Sequence, residues 1–384
     1  MMKKNISYID LRDKCFKNAS RTVIKVGSNV LTENLGLNIR AIRRITTQIC
    51  ELVDEGREII LVSSGAMAAG MRKLNLSKRP TEIPQRQAIA AVGQAGLIEE
   101  YEKAFDFFDK KVAQILLTGD DLANRKRFLN ARNTINTLLS WKVTPVINEN
   151  DTVAIEEIKF GDNDNLSAMI TLMMDADLLI NITDINGLYN KDPRRNKDAE
   201  LIQEVSTINK TLESYASSIP GALGTGGMMS KIKAAKKVVS AGIPMVIVKE
   251  KPDILKNIFK GKNEGTFFVP KTDKMASRKC WIAFTLKPKG ILTIDSGAAK
   301  AILKNGKSLL PVGILDVQGN FSTGDPVSFE LEKGLSLGSG LVNYSMNDIK
   351  KIKGLHSHEI NDLLGHQPYD EVIHRDNMVI FEEC

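Results

Sequence analysis

Six short stretches of this chain carry residues that could do chemistry on an anion. Lys25-Val26-Gly27-Ser28-Asn29 puts a cation beside a glycine that lets an anion approach the backbone closely. Ser63-Ser64-Gly65-Ala66-Met67-Ala68-Ala69-Gly70 brings small residues and backbone N–H groups to a helix start, where a phosphate or carboxylate is favoured. Asn148-Glu149-Asn150-Asp151 is rich in acceptors; Asp151 suits an amino group and the amides suit other polar groups. Gly161-Asp162-Asn163-Asp164-Asn165 interleaves carboxylates with amides and could bind a cation or orient lysines. A calcium loop is excluded there, because the later Gly and bidentate Glu are missing. Thr183-Asp184-Ile185-Asn186-Gly187-Leu188-Tyr189 is followed by Asp192-Pro193-Arg194. Gly224-Thr225-Gly226-Gly227-Met228-Met229-Ser230-Lys231 leads into a helix with a lysine in its first turn. It has the physics of a P-loop without Walker spacing.

Each stretch alone has a plainer reading: a strand-to-loop turn, a helix cap, a solvated turn. Their positions change the weighing. The first 270 or so residues alternate short β-type runs with helical patterns. Strands are expected over 22–26, 58–62, 112–117, 143–147, 178–182 and 244–248. Helices are expected over 41–53, 66–74, 85–108, 166–174 and 228–240. This alternation predicts an α/β fold, a doubly wound and mostly parallel sheet with helices on both faces. Ligands of such sheets bind beyond the carboxyl ends of the strands, and four of the six stretches lie at the end of an expected strand. Two lysines and three Gly-rich turns at strand ends are the parts of a phosphoryl-transfer site.

From about Pro288 the pattern becomes short apolar runs divided by Gly, at 290–292, 309–313 and 325–329, with one helix near 298–304. That predicts a small β-rich barrel. The expected domains are 20–270 and 288–367.

Composition narrows the partners. Hydrophobic residues make up 42% and charged residues 26% of 384, the balance of a globular protein. Cys15, Cys50, Cys280 and Cys384 are far apart in the chain, so reduced thiols in a cytoplasmic protein are expected. No signal peptide or membrane span is read; the apolar stretch 170–182 is short and carries Asp175 and Asp177. The net charge is +7, yet from Leu286 onward there are 10 Lys and Arg against 13 Asp and Glu. The positive charge therefore belongs to the first part, and the slightly acidic tail argues against nucleic acid.

The order and spacing of these stretches resemble the amino-acid kinase family, from Lys25 to about Lys249. Phe128-Leu129-Asn130-Ala131-Arg132 and Val146-Ile147 ahead of Asn148 belong to the same match. The part from about Gly290 to Gly365 resembles a PUA module. The resemblance implies ATP-dependent phosphorylation of the side-chain carboxylate of L-glutamate, feedback inhibition by proline, and a homo-oligomer (dimer or tetramer). By position, Lys25 and Lys231 would flank the transferring group and Asp164 would hold them. Ser64, Asp151 and Asn163 would bind glutamate, with Asn148 and Asp162 nearby. Lys25, Gly27, Ser28, Thr183, Asp184 and the run Thr225, Gly226, Gly227, Met228, Met229, Ser230, Lys231 would hold ATP. Mg²⁺ would be carried by ATP, with no protein side chain assigned to it. Glu149 and the loop 152–162 are the candidates for proline tuning.

Two departures from the family pattern are Ser28-Asn29, where Thr-Ser is common, and Ser230, where Thr is common; both keep a hydroxyl. A carboxylate nucleophile, with a pKa near ~4.3, is already ionised at pH 7 and needs no general base. In keeping with this, all four histidines follow residue 355. Other acceptors used in this family (aspartate, N-acetylglutamate, carbamate, UMP) stay open as alternatives. An RNA-binding PUA protein is the alternative from another class.

Overall fold

Runs of buried aliphatic residues, Val23-Ile24 and Ile59-Ile60-Leu61-Val62 among them, set the centre of the first unit as β-strands. The computed structural model describes residues 8–33, 36–153, 163–217, 227–271, 274–332, 334, 336–365 and 369–381. The chain divides into two units, Met1–Lys274 and Met275–Cys384.

The first unit is built on an eight-stranded sheet. In spatial order its strands are Lys111–Leu117, Val143–Glu149, Glu58–Ser63, Arg21–Val26, Leu178–Thr183, Met245–Lys249, Thr266–Phe268 and Glu204–Val205. Neighbours are parallel except Met245–Lys249 and Thr266–Phe268, which are antiparallel. The chain leaves the central strand Arg21–Val26 first to one side, at Glu58, and later to the other, at Leu178. That switch point is where such a sheet opens a crevice for ligands.

Helices cover both faces. Ile24 and Val26 belong to a core shared with Ile42, Ile45, Leu97 and Tyr101. The opposite face, which carries Val23 and Lys25, packs against helix Asn163–Met173. Register places Lys25 beside Val62 on one side and Asn181 on the other.

Two of the boundary differences from the sequence reading matter for the site. Strand Val143–Glu149 runs two residues past its expected end, so Asn148 and Glu149 are strand residues. Pairing continues there because Leu116 and Leu117 still face Asn148 and Glu149. The helix expected from Leu166 starts at Asn163, so Asp164 lies in its first turn, where a carboxylate suits the helix dipole. Helix Arg125–Ser140, unread as an element, is capped by Asn124, whose Oδ1 accepts from Lys126 N at 3.1 Å and Arg127 N at 3.2 Å.

The helix that follows Ser64, Ala66–Lys73, crosses Ile83–Asp106 at close quarters. A Cβ on Gly93 would lie 1.8 Å from Ala66 O and 2.3 Å from Gly70 N. Gly96, in the same helix, has nothing within 4 Å of its Cβ position. Gly96→Ala should therefore stabilise the fold by about 1 kcal/mol through helix propensity. Gly93→Ala should instead destabilise it by about 1–3 kcal/mol, because backbone must move. Urea midpoints of the two variants check this; equal shifts would show that the crossing is not tight.

The second unit holds a five-stranded sheet in the order Ile314–Gly319, Gly290–Ile294, Pro326–Leu331, Ser336–Leu341, Met378–Ile380. Among the described residues of this sheet, only Gly290–Ile294 and Pro326–Leu331 pair in parallel. Leu292, Ile294, Phe329, Tyr344 and Ile349 centre its core. The β run expected at 309–313 is instead a single bridge from Leu309 to Ile373 followed by a 3₁₀ turn, Pro311–Gly313. Pro311 lacks the N–H that a ladder needs. Among the described residues, no helix is long and apolar enough to cross a membrane.

Candidate functional site

Asp164 is the hub of the first unit's strand ends. It is 0% exposed, and its carboxylate accepts from both the strands and the helix around it. Lys25 Nζ and Asn181 Nδ2 donate to Oδ1 at 2.5 and 2.7 Å. Ser230 Oγ and Lys231 Nζ donate to Oδ2 at 2.6 and 2.8 Å. Lys25 and Lys231 are themselves only 4% and 5% exposed. Burial pushes the Asp164 carboxyl up, but the two ammonium groups more than reverse this and hold it well below the usual carboxylate range. One carboxylate between two lysines leaves a net positive cluster, which suits an incoming polyanion.

Secondary structure explains why these side chains meet. Lys25 and Asn181 are register partners on adjacent parallel strands and therefore point to one face. Asp164 comes from the first turn of the helix packed on that face. Ser230 and Lys231 come from the first turns of helix Met228–Ser240, which Gly227 caps in extended backbone. Met228 is 3% exposed and anchors this helix in the core, while Met229 is half-buried.

A chain of amides adjoins the hub. Asn163 Nδ2 lies 2.9 Å from Ser63 O, 2.8 Å from Ser64 Oγ and 3.0 Å from Asn148 Oδ1, so its two hydrogens are shared among three acceptors. Asn148 Nδ2 donates to Gln94 Oε1 at 2.8 Å. Ser63 Oγ and Tyr101 OH are 2.9 Å apart, and burial pushes the Tyr101 hydroxyl pKa up. Gln94 and Tyr101 were not singled out from the sequence. Their spacing of seven, two turns on one helix face, was a readable signal.

Beyond Gln94 the network opens into a cavity of about 270 Å³, walled by alanines and lined by Gln94, Gln114, Glu149 and Asp151. Burial raises the Asp151 carboxyl pKa, against the pull of Arg86 and Arg79. Those two arginines are a second pair that the sequence reading missed; no turn or strand-end motif marks them.

At the neighbouring strand end, Gly27 N donates to Ile182 O at 3.0 Å and Gly27 caps the short helix Ser28–Leu31. Asn29 Nδ2 donates to Asp184 Oδ2 at 3.2 Å, and Thr183 Oγ1 donates to Asp184 Oδ1 at 3.0 Å. Asn29 thus takes up one Asp184 oxygen. Glu250 N closes the adjoining strand end on Thr183 O at 2.8 Å.

Lys25, Ser64, Asn148, Asn163, Asp164, Ser230 and Lys231 therefore form one connected set, with Asp151 in the adjoining cavity and Gly27, Ser28, Thr183 and Asp184 beside it. Asp162, Thr225 and Gly226, and residues 154–162 of the expected tuning loop, lie outside the described residues. Among the described residues no group of three or more His, Cys, Asp or Glu side chains gathers to hold a metal.

Residues 20–249 match the family described as the amino acid kinase family, and residues 290–364 match the PUA domain. The chain is similar to the glutamate 5-kinase of Syntrophus aciditrophicus (strain SB), 48% identical over 370 residues, 96% of each chain. It is 50% identical to the glutamate 5-kinase of Caldanaerobacter subterraneus subsp. tengcongensis over 94% of this chain and 98% of that one. The glutamate 5-kinase of Carboxydothermus hydrogenoformans is also 50% identical, over 95% of this chain and 99% of the relative.

Proposed function

The chain belongs to the amino acid kinase family, and on that premise we propose that it transfers the γ-phosphoryl group of ATP to the side-chain carboxylate of L-glutamate. The product is L-glutamyl 5-phosphate, and the reaction is the first step of proline biosynthesis. The observation that carries the reading is the Asp164 hub, which holds Lys25 and Lys231 together at the switch point of a parallel sheet.

The chemistry follows from charge. A glutamate carboxylate is ionised at neutral pH, so its attack needs no base but must overcome repulsion by ATP. Lys25 and Lys231 lower that repulsion, and Asp164 fixes their ammonium groups before substrate arrives. Asn163, Ser64 and Asn148 orient the amino acid through their shared amide and hydroxyl network, and Asp151 takes its ammonium group. Gly27, Ser28, Thr183 and Asp184, with the segment 225–231, hold the nucleotide. Magnesium, carried on the ATP phosphates and touched by Asp184, would supply further charge neutralisation.

The proposal includes a kinase domain over 20–270, a PUA-like domain over 288–367, a cytoplasmic homo-oligomer, and feedback inhibition by proline. Proline would share the cavity lined by Glu149 and Asp151. An active enzyme that millimolar proline leaves untouched would end that part of the reading.

The deciding assay is ADP release from ATP and Mg²⁺ with L-glutamate, L-aspartate, N-acetyl-L-glutamate, carbamate or UMP, with hydroxylamine present to trap an acyl phosphate. Turnover with L-glutamate alone and a trapped γ-hydroxamate are expected. Turnover with another acceptor would overturn the assignment of the pocket around Asp151 and Asn163.

A further inference from the structure

Helix Met228–Ser240 carries, besides Lys231, three lysines that the phosphoryl chemistry above does not use, and one of them, Lys237, turns inward. Lys237 follows Ser230 by seven residues, two helical turns, so both lie along one edge of the helix. Both reach the same turn of helix Asn163–Met173. Ser230 Oγ donates to Asp164 Oδ2 at 2.6 Å, and Lys237 Nζ donates to Asn165 Oδ1, also at 2.6 Å.

The Lys237 contact is unusual in what it pairs. Lysines near a surface ordinarily run their ammonium group out to water. Lys237 is half-buried, and the acceptor it reaches is a neutral amide. Burial and the neighbouring Lys233 lower its pKa. Desolvating an ammonium group for a neutral partner is unfavourable by itself, so the contact calls for a reason in what it holds.

What it holds is a rotation. Residues 164 and 165 project about 100° apart around their helix. Helix packing and the contacts of Asn163 and Asp164 hold this turn against the sheet. The contact at Asn165 fixes it from a third direction, against helix Met228–Ser240. The first turn of this helix also carries Asn163, which bridges Ser64 and Asn148. Its rotation therefore sets the hub and the amide network together.

We propose that Lys237 is a positioning residue for phosphoryl transfer: by tethering Asn165 to helix Met228–Ser240, it sets the orientation of the turn that places Asp164 between Lys25 and Lys231. This rests on the kinase reading above.

The test is steady-state kinetics of Lys237→Met, Lys237→Gln, Asn165→Leu and the Lys237→Met/Asn165→Leu double variant. Each is measured with the acceptor that the wild-type enzyme uses in the screen above. The identity of that acceptor tests the kinase reading, while the ratio of variant to wild type tests Lys237. Lys237→Met should lower kcat about tenfold, the order expected of a sub-ångström displacement, with KM for ATP within about twofold. Lys237→Gln, which keeps an N–H donor, should recover part of the loss. The double variant should be no worse than the worse single one, since both singles break one bond. The proposal is overturned by a wild-type kcat in Lys237→Met, by losses that multiply in the double variant, or by a loss that only tracks the folded fraction seen in circular dichroism. Should Lys237→Met fail to fold, Lys237→Gln and Asn165→Leu decide alone: wild-type kcat in both overturns it.

Discussion

Lys231→Met should lower kcat for glutamyl phosphate formation by about 10³-fold while the protein stays folded. The expected size is that of losing one preorganised charge donor at a developing anion, about 10²–10³ or somewhat more for a full cation. The fold should survive because Asp164 keeps Lys25, Ser230 and Asn181 as donors. The methionine also fills most of the lysine's volume in a site only 5% exposed. The KM for glutamate should move little, because Lys231 acts on the transferring group rather than on the amino acid. Hydroxamate trapping under saturating ATP measures this. A loss smaller than tenfold would remove Lys231 from the reacting centre.

Asp164→Asn should damage stability and activity together. It leaves the ammonium groups of Lys25 and Lys231 buried beside a neutral amide, and breaking a buried pair in this way costs about 3–5 kcal/mol. The pH dependence has a definite sign. The folded-state pKa of Asp164 is depressed, so its contribution is fully present above the unfolded value of about 3.9 and is lost as pH falls below it. Urea titrations should thus give a constant stability gap between wild type and Asp164→Asn from pH 7 to about 5, narrowing below about 4. A gap that narrows already between pH 7 and 6 would mean that a different group titrates, and that Asp164 is not held ionised by its two lysines.

Much of this molecule was determined by the sequence itself. The α/β class follows from runs such as Thr22–Val26 and Leu178–Ile182, whose side chains are buried and so leave a mostly apolar record, interrupted by Thr22, Lys25 and Asn181. Lys25-x-Gly27, Ser64-Gly65 and Gly227 to Lys231 were legible because a glycine or small residue beside a cation at a strand or helix end has a local physical meaning. The tertiary structure alone decided the rest. Which carboxylate joins the two lysines is a matter of separations of 139 and 67 residues along the chain, about which spacing says nothing. The amide chain from Asn163 through Asn148 to Gln94, the arginines beside Asp151, and the tether from Lys237 to Asn165 all arise from how helices lie on a sheet. The strands Glu204–Val205 and Thr266–Phe268 escaped reading because two or three residues are too few to show an alternating pattern; their place is set by neighbouring backbone that needs partners for its N–H and C=O groups. Local chemistry is written in residue order, but the distances that turn it into a site exist only once burial has packed the elements against one another.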